Sequence, residues 1–172
     1  MQKKFSYPIK IDELNQNKYK FVLWADEFEL EDIASVLQVE KAKAFKAEIF
    51  LKYDQRLHSL KVWGSVLAKL ELKSVISLEN FDKDFDVSFE LNFDTKATYK
   101  DIRDMDYGIN DDIPDIIENG QINLADIAIE QIALNIDDYP RAEGEIFDYS
   151  KYAEDDVDER ENPFAILKKL KK

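Results

Sequence analysis

From Phe85 to Phe93 apolar and polar residues alternate without a break. Phe85, Val87, Phe89, Leu91 and Phe93 fall on one side, with Asp86, Ser88, Glu90 and Asn92 on the other. A period of two is that of a strand with one buried and one wet face, the pattern of an antiparallel sheet. Two earlier stretches repeat it. Phe45, Ala47, Ile49, Leu51 and Tyr53 oppose Lys46, Glu48 and Lys52, and after the turn signal "YDQR" the residues Leu60, Val62, Val66, Ala68 and Leu70 oppose Lys61, Trp63, Ser65, Leu67 and Lys69. The run "SVISL" is expected to prolong that strand, and "ENFDKD" to turn the chain back.

Upstream, Phe5, Ile9 and Ile11 predict a first strand, with Pro8 tolerable near an edge. Tyr19, Phe21 and Leu23 predict a second. The period then changes: Leu30, Ile33, Ala34 and Leu37 share one helical face, with Glu31 and Asp32 placed near the helix start, where the dipole favours acids. Residues 94–120 are acidic, are punctuated by Gly108, Pro114 and Gly120, and read as a loop. "INLADIAIEQIALNI" predicts a helix capped by Asn123 with Asp126 three residues on, and Leu124, Ile127, Ala128 and Leu134 supply its apolar contacts. The chain closes on "ENPFAILKKLKK", where Asn162 can cap a short helix and Pro163 suits its first position.

Together these elements predict an α+β fold: an antiparallel β-sheet meander of about five strands, one or two packed helices, and a short C-terminal helix. Residues 1–100 form the sheet core with one helix. Residues 101–161 form an acidic loop, a helix and an extended segment packed on the same domain, and residues 162–172 form a basic amphipathic helix.

Charge sharpens this division. The 172 residues carry a formal net charge of −13, but unevenly. Residues 1–100 hold 16 basic and 17 acidic side chains, residues 101–161 hold 4 and 20, and residues 162–172 hold 4 and none. An acidic stretch argues against broad phosphate binding by the body and fits a basic partner, or a solvated arm that only confers solubility. In the terminal segment Phe164, Ile166, Leu167 and Leu170 gather on one arc, while Lys168, Lys169, Lys171 and Lys172 bring charge to the end of the helix. A helix of about ten residues is marginal alone in water, so it is expected either to dock on the body or to fold on a partner. With no cysteine there is no thiolate site or disulfide, and nothing at the N-terminus reads as a signal peptide or membrane span. A cytoplasmic protein is the expectation.

Catalytic signals are sparse. His58 is the single histidine, beside a turn, and reads as an exposed residue rather than a general base. Asp111 with Asp112, or Asp155 with Asp156, would hold a divalent cation only if carboxylates converged on them from rigid elements. Four glycines leave little room for a phosphate-cradling loop. The expectation is therefore no enzyme, no catalytic residue, no metal and no cofactor. Two binding candidates remain besides the tail. Tyr139 and Arg141 in "DDYPRAEG" pair an aromatic with a cation, and Trp63 with Lys61 offers a stacking surface for RNA.

The ending Asn162-Pro163-Phe164-Ala165-Ile166-Leu167, followed by Lys168, Lys169, Leu170 and further lysines, resembles the C-terminal signature of the YceD family, the large ribosomal RNA subunit accumulation proteins. The helix running into "LNIDDYPRAEG" resembles the alphaproteobacterial form, and "GSVLAKLELKSVISLEN" resembles the family's central strand pair. The chain departs from the family where cysteine is common in that strand region, for Ser74 stands about there. No metal site is inherited. The resemblance implies a cytoplasmic, non-enzymatic protein supporting synthesis, processing or stability of 23S ribosomal RNA. The expected partner is a ribosomal protein or large-subunit assembly factor, with the 23S precursor as a second candidate. An acidic chaperone-like module for a basic ribosomal protein and a metal-dependent RNA-processing nuclease are the alternatives.

Overall fold

A computed structural model describes residues 4–98, 100 and 115–148. The chain divides into two units, Met1–Ala142 and Glu143–Lys172. All the elements below belong to the first; of the second, residues 143–148 are described and include Gly144 at φ 81°. The C-terminal segment 162–172, with Asn162, Pro163, Phe164, Leu167, Lys168, Lys169, Lys171 and Lys172, lies outside the described residues, as do Asp111, Asp112, Asp155 and Asp156.

Strand β1 (Pro8–Lys10) leads through a tight turn into β2 (Lys18–Trp24), helix α1 (Glu27–Leu37), and three long strands: β3 (Lys41–Asp54), β4 (Ser59–Lys73) and β5 (Asn80–Asp94). Then come β6 (Asp115–Ile116), β7 (Gln121–Asn123) and helix α2 (Leu124–Ala133). The main sheet has the order β2-β3-β4-β5-β6. It is antiparallel throughout except that the two-residue β6 runs parallel to β5. The fold is thus α+β around a mostly antiparallel five-stranded sheet, as the alternation predicted.

Several local expectations change, among them the loop reading of residues 94–120, within which Asp115–Ile116 forms β6. The proposed Phe5–Ile11 strand shrinks to three residues and pairs with β7 in a separate two-stranded sheet. Asn123 binds the two together: its Oδ1 accepts from the Tyr7 N–H at 2.7 Å and caps α2 by accepting from Ala125 N–H. The run Ser74–Leu78 does not extend β4. The buried Ser74 hydroxyl accepts from Ile76 and Ser77 N–H at 3.1 and 3.3 Å, folding the backbone into a turn that β-branched residues alone would not announce. Leu134 caps α2 and is exposed, so Ile132, fully buried, makes the contact assigned to it.

Helix α1 starts earlier than Glu31, at a capping box. The Asp26 carboxylate accepts from Phe28 and Glu29 N–H, and Glu29 accepts in return from Asp26 N–H. Both helices are short, so packing holds them rather than propensity. Ile33 of α1 and Leu124, Ala128 and Ile132 of α2 are fully buried with Ile49, Leu51, Leu60, Val62, Val66 and Leu70 on the inner side of the sheet.

One position fixes that sheet. Gly64 falls in β4 at an inner-face position, opposite Ile49 and Phe89. A Cβ there would lie 2.0 Å from the Glu48 carbonyl oxygen and 3.0 Å from Ile49 Cα. Backbone occupies the space a side chain would need. Gly64→Ala must push β3 and β4 apart and is expected to cost about 1–3 kcal/mol, the range of core overpacking. Urea unfolding reads it; an unchanged midpoint would show that the strands can separate freely at this point.

Candidate functional site

Register determines what the outer side of the sheet displays. Across β2, β3, β4 and β5, Lys18, Lys52, Lys61 and Asn92 stand in one row, and Lys20, Phe50, Trp63 and Glu90 in the next. Beyond them come Val22, Glu48, Ser65 and Ser88, then Trp24, Lys46, Leu67 and Asp86. The core is on the other side, so none of these side chains is needed to fill it.

Trp63 and Lys61 do lie together, as the alternation predicted, and the structure adds three residues to them. Phe50 stacks on Trp63 with ring centroids 5.7 Å apart and planes 19° from parallel. The Lys18 ammonium sits over both rings, 4.4 Å from the Phe50 centroid and 4.9 Å from that of Trp63. Lys20 approaches Phe50 at 5.4 Å and Lys61 approaches Trp63 at 6.0 Å. Phe50 was legible in the sequence: it occupies an outward position of β3, between the inward Ile49 and Leu51. Lys18 and Lys20 were not, because their place depends on how β2 pairs.

Lysines on this face differ in their partners. Lys20 pairs with Glu48 at 2.9 Å and Lys61 with Glu90 at 2.5 Å. Lys18 and Lys52 meet no carboxylate among the described residues. At the far end of the face a bulge between Ala42 and Ala44 frees Lys43 to reach Glu71 at 2.7 Å and Asp82 at 2.5 Å. Hydrogen bonds from Lys43 hold both carboxyls below their ordinary values, and the bond to Asp82, then that to Glu71, raises Lys43. The stability contributed by the carboxylates is present above the ordinary carboxylate range and fades as pH falls through their lowered values. That from Lys43 is present below the ordinary lysine range and fades as pH rises through its raised value. All three groups are solvated, so the contribution is small. Lys43→Met should move the Glu71 and Asp82 titrations upward in a carboxyl NMR experiment; unmoved titrations would refute the clamp.

Between that clamp and the lysine row, Trp24 and Leu67 are exposed beside a depression of about 680 Å³ that also touches Ala44, Lys69, Asp84 and Asp86. The Lys46 ammonium lies 4.5 Å from the Trp24 centroid. Its lining mixes charges of both signs around an apolar floor.

Tyr139 and Arg141 are elsewhere. Their segment lies against the β4–β5 turn, where Val75 N–H donates to the Pro140 carbonyl at 2.9 Å and Lys83 pairs with Asp137 at 2.6 Å. The hydrogen bond from Lys83, with a smaller effect of the Arg141 charge, holds the Asp137 carboxyl low. Tyr139 is 77% exposed. Trp63 and Ser74 are separated by eleven steps of mostly extended chain, roughly 36 Å. The two predicted sites are not brought together.

His58 is exposed in the β3–β4 turn at φ 51°, and its carbonyl accepts from Thr95 N–H and Oγ1. Its backbone has a structural task. Among the described residues no group of three or more His, Asp or Glu side chains could hold a metal ion, and no helix is long and apolar enough to cross a membrane.

No curated protein and no solved structure matches the chain. A family model described as "Large ribosomal RNA subunit accumulation protein YceD" matches residues 62–171. The match runs from β4 through the turn at Ser74 and the Tyr139 segment. The structure joins these two family-like stretches directly, through the Val75–Pro140 hydrogen bond. With most of its length matched, this chain belongs to the YceD family of large ribosomal RNA subunit accumulation proteins.

Proposed function

We propose that the chain is a cytoplasmic ribosome-biogenesis factor that supports synthesis, processing or stability of 23S ribosomal RNA, and that it acts by binding rather than catalysis. Family membership supplies the biological role. One observation supports binding as the mode: a solvent-facing side of a rigid sheet displays Trp63, Phe50 and a row of lysines that the core does not use. Such a surface presents shape and charge to a partner.

The basic segment from Asn162 to Lys172 is a second contact in this reading. Phe164 and Leu167 supply its apolar side and Lys168, Lys169, Lys171 and Lys172 its charge. Tyr139 and Arg141 are a third candidate, at the turn end of the sheet. The partner is a ribosomal protein or assembly factor, the 23S precursor, or both.

A cell that depends on this protein should show a lowered ratio of large- to small-subunit RNA when it is depleted. Wild-type protein should restore the ratio, and a variant with Lys18, Lys52 and Lys61 changed to glutamate should restore it by less than half. Full restoration by that variant would remove the sheet face from the mechanism. Deleting residues 162–172 in the same assay should also impair restoration, and an unaffected ratio would confine the function to the body.

A chaperone-like hold on a basic ribosomal protein is favoured by one feature, the outward carboxylates Asp82, Asp84 and Asp86 on β5 beside Trp24 and Leu67. Capture of such a protein after nuclease treatment, lost on changing Asp84 and Asp86 to asparagine, would support it.

A further inference from the structure

Side chains directly opposite on adjacent strands interact, and like charges there destabilise a sheet. Lys18, Lys52 and Lys61 nevertheless stand in one cross-strand row on β2, β3 and β4. Neighbouring strands are about 4.8 Å apart, so adjacent lysines of the row stand within the screening length of about 8 Å at physiological salt. The row therefore acts largely as one positive feature. It occurs in a chain whose net charge is −13 and which has carboxylates to spare, yet only Lys61 of the three has an acidic partner among the described residues.

We infer that this row and the adjoining Phe50–Trp63 stack form a contact for single-stranded RNA. The inference rests on the reading above that the outer face of the sheet is the binding surface, and it names the partner. A polyanion relieves the repulsion within the row, which a neutral or basic peptide would not. The aromatic pair selects among polyanions, since bases are accessible for stacking in single strands and not inside an A-form duplex. In the free protein the Lys18 ammonium covers both rings, at 4.4 and 4.9 Å from their centroids. It holds the place of a base. A cation–π contact at an exposed site is weaker than a base stacked on an aromatic ring. An entering base displaces the ammonium, which swings along its flexible stem to the neighbouring phosphate.

The test uses the full chain, a fluorescent single-stranded RNA of mixed sequence and a duplex RNA of equal length, with binding read by anisotropy across a salt series. With phosphates neutralised by Lys18 and Lys52, the two lysines of the row without an acidic partner, log K against log salt should fall with a slope of about −1.4. Lys52→Gln should reduce that slope by about 0.7. Trp63→Ala should weaken binding about tenfold or more, and the duplex should bind less tightly than the single strand. Lys52→Gln also provides a control for folding: by relieving like-charge contact it should leave the melting temperature unchanged or raise it while lowering affinity, which a purely structural lysine would not do. Binding unaffected by Lys52→Gln and by the triple glutamate variant, or equal affinity for the duplex, overturns the inference. If RNA binding is absent while the triple variant still fails in the cellular assay, the sheet face is functional but its partner is a protein. If the variant neither loses RNA binding nor fails in cells, both readings fall together.

Discussion

Where β4 crosses β3 at Gly64, the two backbones come too close for any side chain to stand between them. That approach, with the unbroken alternation of β4 and β5, locks the pairing of the central strands. A slip of one residue would turn Ile49, Leu51, Val62 and Val66 out to water and Lys52, Trp63 and Lys61 into the core. With the slip forbidden, Phe50 must meet Trp63 and Lys52 must meet Lys61. Core and outer surface are two consequences of one registration.

The inner side of the sheet requires a cover, because it is a continuous apolar surface. Helices α1 and α2 supply it, each too short to persist alone, and each tied to distant chain by a side chain, α1 from its middle and α2 from its N-cap. Asp32 of α1 accepts from Phe5 N–H at 3.0 Å, and the cap of α2, Asn123, accepts from Tyr7 N–H. The outer side has no such requirement and is polarised instead. Lysines dominate on β2 and β3 at one end, carboxylates dominate on β5, and the pairs Lys43–Asp82 and Lys61–Glu90 join the two regions. A body that is nearly neutral by count can thus be strongly basic in one place.

Period-two alternation made β3, β4 and β5 legible, including the outward place of Trp63 and Lys61. It also exposed the limits of one-dimensional reading. Phe50 could be placed by parity alone, whereas Lys18 reaches the same rings only because β2 pairs with β3 in one register, which no local pattern specifies. The Ser74 turn was hidden by β-branched neighbours, since its cause is a hydroxyl taking backbone N–H groups. The capping box Asp26-Phe28-Glu29 was present in the sequence and would have moved the start of α1 to Glu27. The pairing of β1 with β7 joins residues more than a hundred positions apart, a contact that propensity cannot announce.

The two ends of the sheet differ in what they ask of sequence. At the β4–β5 turn, Ser74 is 1% exposed and stands where the resemblance places a cysteine. Its oxygen accepts two backbone N–H groups at 3.1 and 3.3 Å, a task for which a hydroxyl is better suited than a thiol, a weak acceptor. The position is thereby explained by turn geometry, with no metal required. That turn in turn carries Val75 to the Pro140 carbonyl, so the family-like segments are bound together by backbone and constrain one another. At the opposite end Lys18 and Lys52 precede the matched region, which begins at Val62. Lys18 there lies over the Phe50 and Trp63 rings and Lys61 pairs with Glu90, whereas Lys52 meets no carboxylate among the described residues. Of the three lysines in the row, Lys52 alone has no attractive contact among the described residues to set against the like charges on either side of it.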